Sequence, residues 1–174
     1  MKVIFLDIDG VLNSRDNLNA LTCHRRSNAR INDVTYKSNS TIKTRDCFGQ
    51  LFDERCCHWL GYIIEMTGAK IVISSTWRYS GLDFIRDLWQ SRNLPGEIIG
   101  ITPSAISHQD TYNCTCRGDE IKSYIDENKM IEKFCIIDDD NDMLNDQTQF
   151  FVRTDNQFGL CREKALEAIK ILNE

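Results

Sequence analysis

The sequence predicts an α/β protein, a three-layer arrangement in which a mostly parallel five-stranded sheet carries helices on both faces. Two observations predict it. Short runs rich in Ile and Val alternate with segments whose apolar residues recur at helical spacing. Three of those runs also end in clusters of acids and hydroxyls, and open α/β sheets place their ligand sites at the carboxyl ends of strands. A chain of 174 residues, 41% hydrophobic and 27% charged, has the size and balance of one domain with a sizeable core. Residues 1–174 are therefore read as a single domain.

The elements follow in order. Lys2 to Asp7 (KVIFLD) is a buried-strand run. Residues 13–50 are rich in Asn, Ser and Thr and show little apolar periodicity. They read as a polar insertion after the first strand, outside the main core. Leu51 to Thr67 carries apolar residues at 51, 52, 56, 59, 60, 63 and 64, a helical stripe with Asp53 to cap its start and Gly68 after its end. Lys70 to Ser74 (KIVIS) is the second strand, Leu82 to Trp89 the next helix and Glu97 to Ile101 (EIIGI) the third strand. Thr102 to Cys116 reads as a second short insertion. Asp119 to Asn128 is helical through Ile121, Tyr124 and Ile125. Phe134 to Ile137 (FCII) and Phe150 to Arg153 are the fourth and fifth strands. Arg162 to Leu172 closes the chain as a helix with Ala165, Leu166, Ile169 and Leu172 on one face.

Composition excludes several classes. No apolar run approaches the roughly 18 residues that span a bilayer, so no membrane association is expected. Asp7 and Asp9 interrupt the N-terminal apolar stretch too early for a secretory signal. Eight cysteines without such a signal read as the reduced thiols of a cytoplasmic protein. Cys114-x-Cys116, Cys56-Cys57-His58 and Cys23-His24 lack the paired spacing of a zinc site, and no structural zinc is expected. His24, His58 and His108 form no legible nucleophile-base pattern. The net charge of −5 argues against a general nucleic-acid coat, but it is unevenly spread. Residues 13–50 hold seven basic and three acidic side chains, a local +4 that leaves −9 for the rest. The segment is either a solvated loop or a small flap that meets an anionic substrate.

The chemistry sits after the strands. The first ends Asp7-Ile8-Asp9-Gly10, the second Ser74-Ser75-Thr76-Trp77-Arg78, the fourth Asp138-Asp139-Asp140-Asn141-Asp142. The acid clusters would repel strongly if brought together without a cation. An all-oxygen ligand set suits Mg²⁺, which keeps waters and accepts phosphate oxygens. An EF-hand fits poorly, with no glycine at the sixth position or glutamate at the twelfth. Arg78 is read either as a bidentate phosphate clamp or as a surface salt-bridging residue.

Asp7-Ile8-Asp9-Gly10-Val11-Leu12 resembles the D-x-D-G-[TV]-L signature of haloacid-dehalogenase-type (HAD-like) phosphatases. More narrowly, IFLDIDGVLN, TGAKIVISSTWR, IGITP, RGDEI, IIDDD and the late Gly159-Leu160 resemble the compact phosphatase domains of RNA-repair proteins. The resemblance implies a Rossmann-like fold and an enzyme that removes phosphate through an aspartyl-phosphate intermediate. It implies Asp7 as nucleophile, Asp9 as general acid and base, and Ser74 as a hydroxyl donor to the phosphoryl oxygens, with Ser75 and the turn at Gly10 beside the substrate. Asp7, the Asp9 carbonyl, Asp138 and Asp139 are the implied Mg²⁺ ligands, with Asp142 as the alternative to Asp139. The family's third motif is normally a Lys. Here Arg117, at a helix start facing the strand ends, is favoured over Lys122 inside the helix, and an Arg would bring a permanent charge and a planar fork.

A 38-residue insertion counted from 13 to 50 is too short for a lid that engulfs a small metabolite. An open site and a +4 flap suit a polyanion, so the expected substrate is a phosphorylated nucleic-acid end or a nucleotide, 3′ or 5′, RNA or DNA. Two other readings compete: a phosphatase of a small phosphorylated metabolite, and a non-catalytic binding protein on the same fold. Tyr36 and Phe48 are few aromatics for base stacking, which argues against sequence-specific reading.

Overall fold

The structure, a computed structural model, describes residues 1–33, 43–104 and 116–174. The second insertion falls largely outside these, as do Tyr36 and His108. The elements are β1 (Lys2–Leu6), α1 (Arg15–Asp33), β2 (Arg45–Asp46), β3 (Gly49–Gln50), α2 (Glu54–Thr67), β4 (Lys70–Ile73), α3 (Leu82–Ser91), β5 (Ile98–Ile101), α4 (Arg117–Glu127), β6 (Lys133–Asp138), β7 (Phe151–Arg153) and α5 (Arg162–Asn173), with 3₁₀ turns at Thr76–Ser80 and Asn145–Phe150.

Five strands make one sheet in the order β5-β4-β1-β6-β7, every pairing parallel. The alternation of side chains along β1 divides the core in two. Ile4 and Leu6 join Leu60 and Ile63 of α2, Ile85 and Leu88 of α3, and Ala165 and Leu172 of α5. Val3 and Phe5 face the other way, onto Ile121 and Tyr124 of α4. The chain leaves β1 toward β5 and returns to β6 on the other side, so the strand order reverses between β1 and β6. Ligand crevices form at such a switch point.

Residues 13–50 differ from the sequence expectation in having regular structure. α1 covers 19 residues, where the polar composition predicted none. Its start is fixed locally. The Ser14 hydroxyl oxygen accepts from the Asn17 amide at 3.1 Å, an N-cap, and the same hydroxyl donates to Asp53 at 2.8 Å. β2 and β3 pair as a short antiparallel hairpin. Arg92, just past α3, donates twice to Asp46 of that hairpin, at 2.9 Å each, and its guanidinium lies 4.5 Å from the Phe52 ring centre. The hairpin is thus anchored to the core.

Asp53 caps α2 through the Arg55 amide at 3.0 Å, and Gly68 closes it in the left-handed conformation at φ 67°. Burial raises the Asp53 carboxyl, but donation from Arg55 and Ser14 outweighs it and holds the group below the usual carboxylate range. A group depressed in the folded state stabilises above its unfolded value, and that contribution fades as pH falls through the folded value. Asp53→Ala should therefore cost about 1–2 kcal/mol in urea denaturation at neutral pH. The gap between variant and parent should shrink below about pH 4.

Candidate active site

β1 lies between β4 and β6, with Leu6 paired to Ile73 on one side and Ile137 on the other. The next residues, Asp7, Ser74 and Asp138, therefore emerge side by side. Asp7 donates its amide to Ile137 O at 3.0 Å, and Ser74 donates its amide to Leu6 O at 2.9 Å. All three are buried. The Ser74 hydroxyl and Asp138 Oδ2 have no hydrogen-bond partner among the described residues. Buried polar atoms are nearly always satisfied, so two unsatisfied ones at the strand ends that flank β1 mark this edge as a place where something else binds.

Arg117 supplies the cation. Its Nη1 lies 3.3 Å from Asp7 Oδ1 and 3.8 Å from Asp138 Oδ2. Lys122, the alternative, pairs instead with Asp126 at 2.9 Å on the outer face of α4. The start of α4 is held from several sides. Asp142 accepts from the Arg117 amide at 3.1 Å, the favourable position for an acid at a helix N-terminus. Gln147 donates to Gly118 O at 2.8 Å, and Asp119 accepts from the Cys116 amide at 3.2 Å. Asp142 is thus engaged in pinning the helix that carries Arg117.

Asp7, Asp138 and Asp139 each offer a carboxylate oxygen within 4.8 Å of the others. Burial pushes the Asp7 carboxyl up, and Arg117 and the Ser75 hydroxyl pull it back. Burial also pushes Asp138 up, with Asp7 adding to it and Arg117 opposing. Asp139 is raised by burial and by Asp140. Three carboxylates with an unsatisfied buried oxygen among them are a donor set that fits a hard divalent cation such as Mg²⁺, which would reverse these shifts. Gly10 makes the turn that admits Asp139. Its φ is +78°, and a methyl group there would collide with the Asp139 carboxyl. Thr154 fastens the same turn, donating its hydroxyl to Gly10 O at 2.9 Å.

Asp9 is bound differently. It is exposed and its carboxylate lies outside the metal-competent trio, accepting from Asn13 Nδ2 at 3.0 Å on Oδ1 and from Trp77 Nε1 at 2.9 Å on Oδ2. Ser75 caps the 3₁₀ turn at Thr76 through the Trp77 amide, which leaves Ser74 as the uncommitted hydroxyl.

Arg78 requires a correction. Both the phosphate-clamp and the surface readings fail, because its side chain is only 4% exposed. Nη2 pairs with Glu120 of α4 at 2.5 Å and Nη1 donates to Ser75 O at 2.9 Å. A buried guanidinium must be paired to be tolerated, and this one braces the second strand end against α4.

The cleft over these groups is about 320 Å³ and is lined by Asp7, Asp9, Gly10, Asn13, Arg15 and Leu18 on one side and by Thr76, Arg117, Asp139, Asp140 and Asn156 around the rest. Asn13, Arg15, Trp77 and Asn156 were not singled out in the sequence. Trp77 lies inside the TGAKIVISSTWR block, with no role given to it there. Asn13 ends the IFLDIDGVLN block, and Arg15 was counted only as part of the basic segment. Asn156 carries no sequence signal.

A parallel sheet with paired carboxylates at its switch point and an insertion after the first strand is the architecture of a HAD-like domain. Residues 3–165 match the family described as the HAD domain in Swiss Army Knife RNA repair proteins, and the chain belongs to that family. No curated protein and no solved structure matches it.

The electrostatics generate two expectations. Arg117→Met should lower the melting temperature in chelator by about 2–4 °C, the shift that ~1 kcal/mol produces at this size, and added Mg²⁺ should narrow the deficit. Asp138→Asn should raise stability in chelator by relieving the buried repulsion, and should lack the Mg²⁺-dependent rise expected of the parent. Both are read from thermal melts.

Proposed function

We propose that the protein is a Mg²⁺-dependent phosphomonoesterase that removes terminal phosphates from nucleic-acid ends, through an aspartyl-phosphate on Asp7. The observation that carries this reading is the convergence of Asp7, Asp138 and Arg117, with Arg117 3.3 Å from Asp7, beside a buried Ser74 hydroxyl that no other described group uses. An Asp7 oxygen attacks phosphorus, the ester P–O bond breaks, and Asp9 gives its proton to the departing alkoxide. Asp9 then takes a proton from water as the water oxygen attacks phosphorus. The P–O bond to Asp7 breaks and inorganic phosphate leaves. Arg117 keeps Asp7 anionic and faces the charge that the phosphoryl oxygens bring. Ser74 and Ser75, with the Gly10 turn, hold those oxygens. Asp7, Asp138 and Asp139, with the Asp9 carbonyl, would hold Mg²⁺, which supplies charge neutralisation for attack by one anion on another.

Membership in an RNA-repair family supports a nucleic-acid substrate. So does Arg15, an exposed cation on the cleft wall at the start of the proposed flap, residues 13–50. In this reading Arg15 meets the phosphodiester next to the terminal phosphate. Among the described residues no helix is long and apolar enough to cross a membrane.

Asp7→Asn should abolish Mg²⁺-dependent hydrolysis of every phosphomonoester while leaving the thermal melt cooperative. A wild-type protein inert toward all of them would instead support a binding protein on this fold. The substrate is tested by comparing 3′-phosphorylated and 5′-phosphorylated oligonucleotides, in RNA and DNA, with mononucleotides. Arg15→Ala should weaken KM for the oligonucleotides and reduce the slope of log affinity against log salt by about 1. Equal turnover of mononucleotides, with no salt effect, would favour a small phosphorylated metabolite.

A further inference from the structure

The carboxylate of Asp9 is held by two side chains to which the sequence reading gave no role. Trp77 donates its indole N–H to Oδ2 at 2.9 Å, and Asn13 donates its amide to Oδ1 at 3.0 Å. Each oxygen of one exposed carboxylate therefore has its own donor, from two different parts of the chain. Such a carboxylate ordinarily samples several rotamers. Here both of its ends are fixed, and it lines the same cleft as Asp7 and Asp139 without joining the trio that they form with Asp138.

The donor is itself braced. The Trp77 ring meets Phe52 edge to face, with centroids 5.6 Å apart. Phe52 is buried and lies under the Arg92 guanidinium at 4.5 Å. Arg92 in turn donates two hydrogen bonds to Asp46 of the β2–β3 hairpin. A line of packed groups thus runs from the end of the polar insertion, through Arg92, Phe52 and Trp77, to Asp9. Indole N–H is a donor only, so Trp77 orients the carboxylate and takes no part in proton transfer.

We propose that Trp77 is a positioning residue. With Asn13, it fixes the direction of the Asp9 carboxylate so that its proton reaches a leaving oxygen in the cleft, and the hairpin supports it from behind. This rests on the phosphomonoesterase reading and on Asp9 as the proton donor.

The experiment uses leaving groups of different basicity. A nitrophenyl phosphate expels a stable phenolate and needs little protonation. An oligonucleotide 3′-phosphate expels an alkoxide and needs it fully. Trp77→Phe keeps the ring packing and removes the N–H. It should lower kcat on the oligonucleotide by about tenfold or more, a reasonable result for a misdirected group, with a much smaller fall on the nitrophenyl ester and little change in KM. Asn13→Ala should show the same selectivity, and it serves if Trp77→Phe does not fold, as judged by its thermal melt. Equal losses on both esters, or no loss on either, would overturn the positioning role while leaving the phosphatase reading intact. A wild-type protein active on neither ester overturns both.

Discussion

The arrangement of the active edge rests on one constraint, two buried carboxylates on adjacent parallel strands. Leu6 and Ile137 are partners across β1 and β6, so the residues after them, Asp7 and Asp138, cannot avoid each other. Strands pair at roughly 4.8 Å, and in a poorly solvated environment two anions at that spacing drive one another toward protonation. The pair persists because Arg117 stands against both oxygens. Much of the surrounding structure secures that one side chain. Asp142 and Gln147 tie down the first turn of α4, and the buried Arg78–Glu120 pair joins the same helix to the loop after β4.

The same economy governs the turn after β1. Gly10 adopts a left-handed conformation and leaves no Cβ where Asp139 sits, so the third carboxylate closes over the first. Thr154 locks the Gly10 carbonyl, and Arg153 donates to Asp139 O at 3.0 Å. The loops after β1 and β6 are therefore tied to the end of β7 by side chains that donate to their backbone carbonyls. A site assembled from strand ends needs this, because strands fix where a side chain begins but not where a loop carboxylate ends.

The sheet was legible because buried parallel strands leave an unambiguous pattern: KVIFL, KIVI and FCII are runs that no exposed segment would carry. Asp53 and Gly68 marked the ends of α2 for equally local reasons. The residues of the metal-competent trio were legible for the same cause, since they directly follow such runs. α1 was not legible. Its polar composition hides the helix, whose start is fixed by the Ser14 cap and by that residue's long-range bond to Asp53. Arg78 was misread because its role depends on Glu120, 42 residues away, and no local pattern encodes that partner. Trp77 was passed over because an indole in sequence gives no sign of whether its N–H will be spent in the core or at a carboxylate.

Net charge was the least informative quantity, and the structure explains why. At physiological salt, charges more than about 8 Å apart hardly sense one another through water, so what a ligand meets is the lining of its own cleft. That lining carries Asp7, Asp9, Asp139 and Asp140 against Arg15 and Arg117. An anionic end approaching it meets an excess of carboxylates, and Arg117 is already engaged with Asp7 and Asp138. Under the proposed function, neutralising the acidic trio is thus a condition of substrate binding as well as of chemistry. Arg15, exposed on the cleft wall, is in that reading the lining cation left for the part of an anionic chain that extends beyond the reacting phosphate.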